Sequence, residues 1–416
     1  METNKKKILI VGSSACAYTL AKKLLEQGNI EEIFVAAGSD AMKEFATVVD
    51  IREYNVKELL DFAMENAIDL TIVTSEIAIT NDIATIFTNN NMKIFAPTKN
   101  SAYICENKSN GMKFAYKNKI LTPRFGIFEK TALAIDYIQK QPQMPIVIKA
   151  ETHQDKGVMV CSSIAEARNF MDKLFDSGEK RVLVEDYIFG HEFSFYIITD
   201  GYHALPLGSV ATYKYELEGN GGAMSAGMGA FADDTKVSQE IQDKIMQQII
   251  YPTLNSLANS QTPYVGILGV DLVMDCDKNI FIIEFNPFLK EPDAQCLLSL
   301  INENLYDLFS ACYIGAFADE YETLDIDNAT TASLVICATK EGETINGLSN
   351  LDFDTQVSHF KTKKINDSEY ETIKGRSIIL TRKARVASKA IEDLYAEAEE
   401  IKFSGIKYRK DIGVIQ

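Results

Sequence analysis

The length, composition and charge of the chain limit what it can be. At 416 residues it is too long for one ordinary hydrophobic core, which predicts about two to four packed units. A hydrophobic content of 46% and a charged content of 24% are typical of a soluble globular protein. The net charge of −17 argues against nonspecific nucleic-acid binding, and no apolar run is long enough to span a membrane. The scattered cysteines include no C-x-x-C pair, which predicts reduced thiols in a cytoplasmic protein and no zinc site.

Predicted strands and helices alternate through residues 1–100. The first helix is closed by Gly28, a residue common just beyond helix C-termini. Such alternation is typical of a doubly wound parallel sheet, so the sequence predicts an N-terminal Rossmann-like domain over this range. In chain order the predicted elements are Ile8–Val11, Ala15–Gln27, Ile33–Ala36, Val56–Asn66, Leu70–Val73, Asp82–Asn89 and Lys93–Phe95.

The remaining sequence predicts two further domains. Residues 101–320 form a mixed α+β unit with a smaller lid subdomain at about 120–190, and residues 321–416 form a small β-rich domain with one late helix. The predicted elements are Asn107–Lys119, Arg124–Phe128, Pro145–Lys149, Gly157–Cys161, Ile164–Phe175, Arg181–Asp186, Phe193–Ile198, Ala204–Ala211, Gln239–Ala258 and Ala387–Glu400.

Two apolar strands joined by a short turn contain the most informative polar residues. Asp271 lies on the first strand, and Glu284 and Asn286 lie on the second. Because side chains alternate along a strand, all three can point to one face of the hairpin. Oxygen ligands converging on a buried face suit Mg²⁺, which takes one or two carboxylates plus waters and phosphates. The alternative is a solvent-facing hairpin, which the strongly apolar strands disfavour.

Motifs distributed along nearly the whole chain resemble one enzyme family. They are Lys7–Gly12, Ile94–Thr98, Pro145–Ala150, Gly227–Phe231, Tyr251–Thr253, Ile283–Asn286 and Arg409–Gly413. The run Ile283–Asn286 alone resembles the ATP-grasp ligases, which implies that residues 101–320 form ATP-grasp α+β domains. Together, Gly227–Phe231 and Arg409–Gly413 more specifically resemble the glycinamide ribonucleotide synthetases (phosphoribosylamine–glycine ligases).

This resemblance implies a nucleotide-binding side of the site. Lys149 ends an apolar strand, and on sequence alone it is either a strand terminus that reaches solvent or a phosphate ligand. Glu192 would accept hydrogen bonds from ribose, although a rim charge fits the sequence equally well. The implied ATP contacts are Lys108, Lys149, Lys156, Glu185, Tyr187, Glu192 and Lys214. The implied catalytic residues are Lys149, Lys156 and Glu284. The implied ligands of Mg²⁺, with Mn²⁺ as an alternative, are Asp271, Glu284 and Asn286.

The acceptor side departs from the family pattern. Phe288 stands where the family has an arginine, and the first loop, Ser14–Tyr18, lacks the family's Arg, Glu and His. Arginine suits forked recognition of carboxylate or phosphate, so these changes bear directly on which substrates are joined. The predicted acceptor-binding residues are Gly12, Ser13, Ser14, Glu76, Gly227, Gly229, Lys290, Glu291 and Asp293.

A phosphate-bearing acceptor needs a nearby cation or a helix N-terminus. We therefore predict an open pocket between the first domain and the metal site, which includes the loop over residues 12–17. The helix beginning near Ala15 can offer amides to the phosphate. Candidate replacement cations are Lys290, Lys214 and Arg124. A pocket filled by Phe288 or Tyr18 and devoid of cations would contradict this prediction.

The resemblance implies a reaction of ATP, glycine and 5-phosphoribosylamine that yields glycinamide ribonucleotide through an acyl phosphate, a step of purine biosynthesis. Two alternatives remain open at this point. One is an ATP-grasp ligase that joins a different carboxylate to a different amine. The other is a nucleotide-binding remnant without ligase activity. In each case we expect small-molecule partners, no nucleic acid, no membrane, and a monomer or small homo-oligomer.

Overall fold

A computed structural model describes residues 5–140, 143–151, 157–233, 237–366 and 369–414. These residues form the multidomain α/β architecture that the sequence predicts. None of the helices within these ranges is long and apolar enough to cross a membrane. Lys156, a predicted ATP contact, lies outside the described residues.

The N-terminal segment is built on a five-stranded parallel sheet in the order β3-β2-β1-β4-β5. Its elements are β1 (Lys6–Val11), α1 (Ala15–Glu26), β2 (Ile30–Ala36), β3 (Thr47–Val49), α2 (Val56–Glu65), β4 (Leu70–Val73), α3 (Glu76–Thr80), α4 (Ile83–Asn89) and β5 (Ile94–Phe95). Every predicted element of this segment is present. The chain reverses its strand order between β1 and β4, and the loops after these two strands lie where doubly wound sheets bind ligands.

The next segment contains a helical connector and a four-stranded antiparallel sheet in the order β6-β9-β7-β8. Its elements are α5 (Tyr103–Glu106), α6 (Lys108–Lys117), β6 (Phe125–Phe128), α7 (Thr131–Gln139), β7 (Ile146–Ala150), β8 (Val158–Cys161), α8 (Ile164–Asp176) and β9 (Val182–Asp186). Helix α7 was not predicted, although Ala134, Ile135 and Ile138 are buried at helical spacing. These residues pack with α8 and the sheet in one apolar cluster.

Residues 191–320 supply the strands that carry the site. The elements are β10 (His191–Asp200), β11 (Ala204–Thr212), β12 (Tyr215–Leu217), β13 (Gly221–Met224), β14 (Gly229–Ala232), α9 (Gln239–Ile245), α10 (Tyr251–Asn259), β15 (Val265–Met274), β16 (Ile280–Asn286), α11 (Asp293–Leu300), α12 (Leu305–Ile314) and α13 (Phe317–Glu320). A π-helical turn, Met246–Ile250, joins α9 to α10, and this confirms the single long helix that was predicted. The turn precedes Pro252, which lacks the amide donor of a regular helix.

The C-terminal segment continues the same sheet. Its elements are β17 (Thr330–Ala338), β18 (Gln356–His359), β19 (Thr362–Lys364), β20 (Tyr370–Thr372), β21 (Gly375–Ala384), α14 (Ala387–Glu400) and β22 (Ile406–Lys407). Because β14 pairs with β17, nine strands form one sheet along the path β16-β15-β10-β11-β14-β17-β21-β18, with β22 beside β17. The sheet therefore crosses the predicted boundary at residue 320. The division into three domains stays a prediction.

Candidate active site

Three oxygen-bearing side chains lie together on the β15–β16 hairpin. Asp271 pairs with Glu284 across the two strands, and Asn286 lies opposite Gly269. The Asn286 amide nitrogen is 3.0 Å from Asp271 Oδ1. All three side chains line one cleft with a volume of about 270 Å³. The adjacency that strand alternation predicts is confirmed, and the role of the three residues as metal ligands stays a prediction.

Asp271 is buried in a ring of donors. Its Oδ1 accepts a hydrogen bond from Ser194 Oγ at 2.7 Å, while Oδ2 lies 3.2 Å from Lys214 Nζ and 3.6 Å from Lys290 Nζ. Burial alone would raise the pKa of this carboxyl. The charges of Lys214 and Lys290 outweigh burial and hold the pKa well below its ordinary value, so Asp271 is ionised.

Glu284 forms an ion pair with Lys108, the first residue of α6. Asn107 caps this helix, and its side chain accepts a hydrogen bond from the Asn110 amide. Burial opposes ionisation of Glu284, but Lys108 and Lys290 together lower its pKa to about 2. Burial in turn lowers the pKa of Lys108. The cleft therefore holds a second anionic carboxylate next to Asp271.

Lys149 lies beside the same hairpin at the end of β7. Its Nζ is 2.6 Å from Glu185 Oε2 on β9 and 3.4 Å from the carbonyl oxygen of Ile283. Only 5% of the Lys149 side chain is exposed, which excludes the solvent-reaching alternative. Glu185 Oε1 is buried and has no hydrogen-bond partner among the described residues. A buried acceptor in this state is suited to a donor from a ligand.

Lys214 connects Asp271 to the outer wall of the cleft. Its Nζ is 2.5 Å from Glu192 Oε1 as well as 3.2 Å from Asp271 Oδ2. Burial opposes its charge, but Asp271 and Glu192 raise the pKa of Lys214 well above its ordinary value. Glu192 is connected to the cleft by its ion pair with Lys214. Tyr187 packs edge to face on Phe189. Neither residue is part of the described cleft wall, and their predicted contacts with ATP stay predictions.

The other end of the cleft is acidic. Glu76, Glu291 and Asp293 all line it, as the sequence predicts. Asp293 begins the buried helix α11 and accepts hydrogen bonds of 2.8 Å from Tyr196 Oη and Thr212 Oγ1. Burial raises the pKa of Asp293 to about 6, although the two hydroxyl donors lower it in part. This end of the cleft suits a cationic or amine group.

The first loop does not line this cleft, contrary to our prediction. Gly12 packs against Thr74, the residue after β4, where a Cβ would lie 2.1 Å from Thr74 Oγ1. Ser14 caps α1 by accepting a hydrogen bond from Ala17. The amide of Cys16, which we expected to be open to a phosphate, donates to Glu291 Oε1 at 3.0 Å. Gly12, Ser13 and Ser14 are not among the residues that line the cleft, and their proposed contacts with the acceptor stay predictions.

The predicted pocket is nevertheless open and contains cationic side chains. Phe288 lines one wall but does not fill the cleft, and Tyr18 is buried elsewhere against Phe45. Lys290 and Lys214, two of the candidate replacement cations, line the pocket. The third, Arg124, pairs with Asp186 of β9 at 3.1 Å and is absent from the described lining.

The glycines of the Gly227–Phe231 motif have packing roles. Gly227 has a φ of +107°, and a Cβ there would lie 2.6 Å from Pro292 Cδ. A Cβ on Gly229 would lie 2.3 Å from Ile412 Cδ1. Both glycines therefore permit close approach of segments that shape the cleft. Their predicted contact with substrate remains untested.

Arg376 is one of the cleft residues that sequence reasoning missed. It comes from β21, far along the chain from every motif of the site, and it lines the cleft beside Ser225 and Ala226. Ser194 and Thr212, which position the two aspartates, were missed as well. The only sequence signal for Arg376 is that it opens an apolar strand directly after Gly375.

Comparison with known proteins places the chain in a family. The model of the phosphoribosylglycinamide synthetase N domain matches residues 6–105, and that of the ATP-grasp (A) domain of the same synthetase matches residues 106–294. The chain belongs to the phosphoribosylglycinamide synthetase family. The resemblance identified from the sequence motifs is thereby confirmed.

Relatives of this family match over nearly their full length. A phosphoribosylamine–glycine ligase of Halalkalibacterium halodurans is 30% identical to the chain. The match covers 98% of the chain and 96% of that ligase. The corresponding ligase of Clostridium acetobutylicum is 29% identical, with 99% of it and 98% of the chain covered. The crystal structure of phosphoribosylamine–glycine ligase from Thermotoga maritima has a TM-score of 0.81 at 20% identity, covering 97% of the chain and 99% of that structure. Biotin carboxylase from Campylobacter jejuni, solved as a β,γ-ATP complex, shares the fold with a TM-score of 0.75 at 14% identity over 99% of the chain and 95% of that structure.

Proposed function

We propose that this chain is an ATP-dependent carboxylate–amine ligase that joins glycine to 5-phosphoribosylamine in purine biosynthesis. The observation that carries the proposal is one cleft in which Asp271, Glu284 and Asn286 share a wall with an acidic acceptor end formed by Glu291 and Asp293. Family membership along most of the chain supports the same reaction. The products would be glycinamide ribonucleotide, ADP and phosphate.

The nucleotide would bind on the lysine-rich side of the hairpin. Lys108 and Lys149 approach Glu284 and the adjacent carbonyl of Ile283 from two different elements, so both can contact phosphate oxygens. The unpartnered Glu185 Oε1 could accept a hydrogen bond from the amino group of adenine. Lys149 would keep its ion pair with Glu185 while ATP binds.

The donor set fits a hard divalent cation. Asn286 donates its amide nitrogen to Asp271, which leaves the amide oxygen available beside the two carboxylates. Within the described ranges, no three His, Cys, Asp or Glu side chains are clustered to hold a metal, so phosphate oxygens and waters would complete the coordination. When bound, Mg²⁺ or Mn²⁺ would neutralise phosphate charge during phosphoryl transfer.

The chemistry follows from the two ends of the cleft. A glycine carboxylate oxygen attacks the γ-phosphorus of ATP, the bond to ADP breaks, and an acyl phosphate forms. The amine nitrogen of 5-phosphoribosylamine then attacks the acyl carbon, phosphate leaves with the former carboxylate oxygen, and the nitrogen releases one proton to solvent as the amide forms. Glu291 and Asp293 suit the ammonium group of glycine, while Lys290 suits the charge that develops on the phosphoryl group.

A second candidate is a ligase of the same chemistry with another carboxylate or amine. Two observations favour it. Phe288, at the cleft wall, stands where the family has an arginine. Glu291 accepts a hydrogen bond from the Cys16 amide of α1, which would otherwise be open to a phosphate. Both changes reduce the positive potential at the acceptor end. Both candidates share the nucleotide and metal side.

Phosphate release from ATP distinguishes these functions. We expect release in the presence of Mg²⁺ only when glycine and 5-phosphoribosylamine, formed in situ from ribose 5-phosphate and ammonia, are both present. Mass spectrometry should detect glycinamide ribonucleotide. Release with a different amino acid or amine would support the second candidate, and no release with any pair would contradict both.

A matched pair of variants ties this activity to the hairpin. Glu284→Gln should reduce turnover by at least about a hundredfold while circular dichroism stays unchanged, because the charge of a proposed ligand is lost. Glu240→Gln is the control, since the Glu240 side chain is 78% exposed. Equal activity of the two variants would contradict the assignment.

We further propose a reducing, cytoplasmic setting for this reaction. All seven cysteines are free thiols in the structure. One of them, Cys105, lines the cleft, and burial raises its pKa well above the ordinary value. A protonated thiol is a weak nucleophile, so this residue need not interfere with an acyl phosphate.

A further inference from the structure

Arg376 is the one guanidinium among the described residues that line the cleft. It lies at the start of β21, and its guanidinium stacks 4.3 Å from the ring centroid of Phe360. Its Nη1 donates a hydrogen bond to the carbonyl oxygen of Ala226 at 3.3 Å. These two contacts hold the planar group in place, and no carboxylate of the described residues pairs with its charge.

The lysines of the cleft differ from Arg376 in this respect. Lys108 pairs with Glu284, and both Lys214 and Lys290 approach Asp271. Their charges are thus already balanced by carboxylates of the nucleotide and metal side. Within the described ranges, Arg376 forms no ion pair with a carboxylate. It is therefore the cleft cation most available to an anionic group of a substrate.

The alternative anion site at the N-terminus of α1 is occupied. The amide of Cys16 donates to Glu291 Oε1, and the amide of Ala17 donates to the Ser14 side chain. A phosphate placed there would have to displace a carboxylate and would meet its negative charge. Phe288, which also lines the cleft, offers no compensating charge.

The glycine-rich loop, residues 220–231, connects Arg376 to the reacting side of the cleft. Ala226, which accepts the hydrogen bond from Arg376, follows Ser225, whose amide donates to the carbonyl oxygen of Lys214 at 2.6 Å. Lys214 in turn contacts Asp271. A substrate whose anionic end lies on Arg376 can therefore extend along this loop toward the metal side.

We propose that Arg376 binds the anionic group of the amine substrate and sets its orientation in the cleft. Resting on the proposed function, that group is the 5-phosphate of phosphoribosylamine. The planar fork suits two phosphate oxygens at once. Arg376 thus supplies, from the C-terminal segment, the positive charge for the phosphate that neither the first loop nor Phe288 provides.

Steady-state kinetics test this role. Arg376→Gln should raise the KM for 5-phosphoribosylamine by about tenfold to a hundredfold, since a charge-assisted contact is lost. The KM values for ATP and glycine should change by less than about threefold, because no contact with either substrate is assigned to Arg376. Arg385→Gln is the matched control, since Arg385 is exposed just beyond β21. An unchanged KM for 5-phosphoribosylamine in Arg376→Gln would overturn the proposal.

Direct binding separates this proposal from the proposed function. Titration calorimetry with ribose 5-phosphate and with ribose should show phosphate-dependent binding to the wild type, weaker binding to Arg376→Lys and none to Arg376→Gln. If the wild type binds ribose 5-phosphate through Arg376 but forms no glycinamide ribonucleotide, the reaction is wrong and the anion site stands. If it forms the product but binds ribose 5-phosphate equally well without Arg376, the anion site is wrong and the reaction stands.

Discussion

Lys290 brings a positive charge to within 3.6 Å of Asp271 in a site that would otherwise present two carboxylates to a cation. Together with Lys108 and Lys214, it surrounds Asp271 and Glu284 with three ammonium groups. This ring opposes the binding of a free divalent ion. A metal that arrives with the negative charge of ATP is not opposed in the same way.

Replacing Lys290 should therefore strengthen metal binding in the absence of nucleotide. For Lys290→Met we expect the affinity for free Mn²⁺ to rise by about tenfold or more, because one repulsive charge is removed. Electron paramagnetic resonance of Mn²⁺ measures this directly. Lys278→Met, on the exposed turn of the same hairpin, is the control. Equal Mn²⁺ affinity in both variants would show that Lys290 does not oppose the metal.

Asp293 should make glycine binding weaker at acidic pH. Since burial raises its pKa to about 6, Asp293 loses its charge as the pH falls through that value. We expect the KM for glycine to rise by about tenfold for each pH unit below the pKa. Asp293→Asn should show a high KM that no longer changes in this range. A glycine KM in the wild type that is flat down to pH 5 would contradict the role of Asp293.

The same shift has a consequence for stability. Because the pKa of Asp293 is raised on folding, its stabilising contribution is fully present below the ordinary value of 3.8 and is lost as the pH rises to about 6. Asp271 behaves in the opposite way, since its lowered pKa stabilises the fold above the ordinary value and that contribution is lost as the pH falls. Near neutral pH the fold therefore keeps the Asp293 carboxylate ionised and buried, which lowers the free energy of unfolding. Carboxyls with raised pKa values of this kind are typical of functional sites.

At the scale of elements, the glycine-rich loop and the turn after β16 pack directly on each other. The absent side chain of Gly227 allows this contact, since a Cβ would lie 2.6 Å from Pro292 Cδ. Gly227→Ala should displace the turn that carries Lys290 and Asp293, and lower kcat/KM for the amine substrate by at least about tenfold. Nucleotide affinity should remain.

Gly219→Ala provides the matched control for this contact. Gly219 also has a positive φ, +63°, but nothing lies within 4 Å of an added Cβ. Both substitutions carry the backbone cost of a left-handed conformation, so the difference between them isolates the steric contact. Similar kcat/KM values for the two variants would show that the loop and the turn are not coupled.

Elements with strong periodicity could be predicted from the sequence, and weak or long-range features could not. The β15–β16 hairpin was predicted with its shared face because strand alternation is a local property. Short elements such as β3, three residues long, carry too little pattern to detect. Arg376 and the contact between Glu291 and Cys16 depend on tertiary packing between distant segments, which no local pattern encodes.

At the scale of the whole molecule, the C-terminal motif ties the last segment to the β12–β13 hairpin. Arg409 is 1% exposed and binds Asp411 through two hydrogen bonds of 2.7 and 2.6 Å. Its Nη1 also donates to the carbonyl oxygen of Tyr215 in β12 at 2.9 Å, and Asp411 accepts from the amide of Gly219. The motif that identified the family therefore has a structural role here, because it closes the C-terminal segment onto the β12–β13 hairpin.

Breaking this pair should destabilise the protein strongly. Arg409→Leu leaves Asp411 and the Tyr215 carbonyl without their partner, and we expect the free energy of unfolding to fall by about 3–5 kcal/mol. Arg409→Leu combined with Asp411→Asn should recover part of this loss, because the unpaired charge is gone. Lys410→Leu, at an exposed neighbouring position, should have little effect. Urea unfolding measures all three. A stability of Arg409→Leu equal to that of Lys410→Leu would mean that the nine-stranded sheet alone holds the C-terminal segment in place.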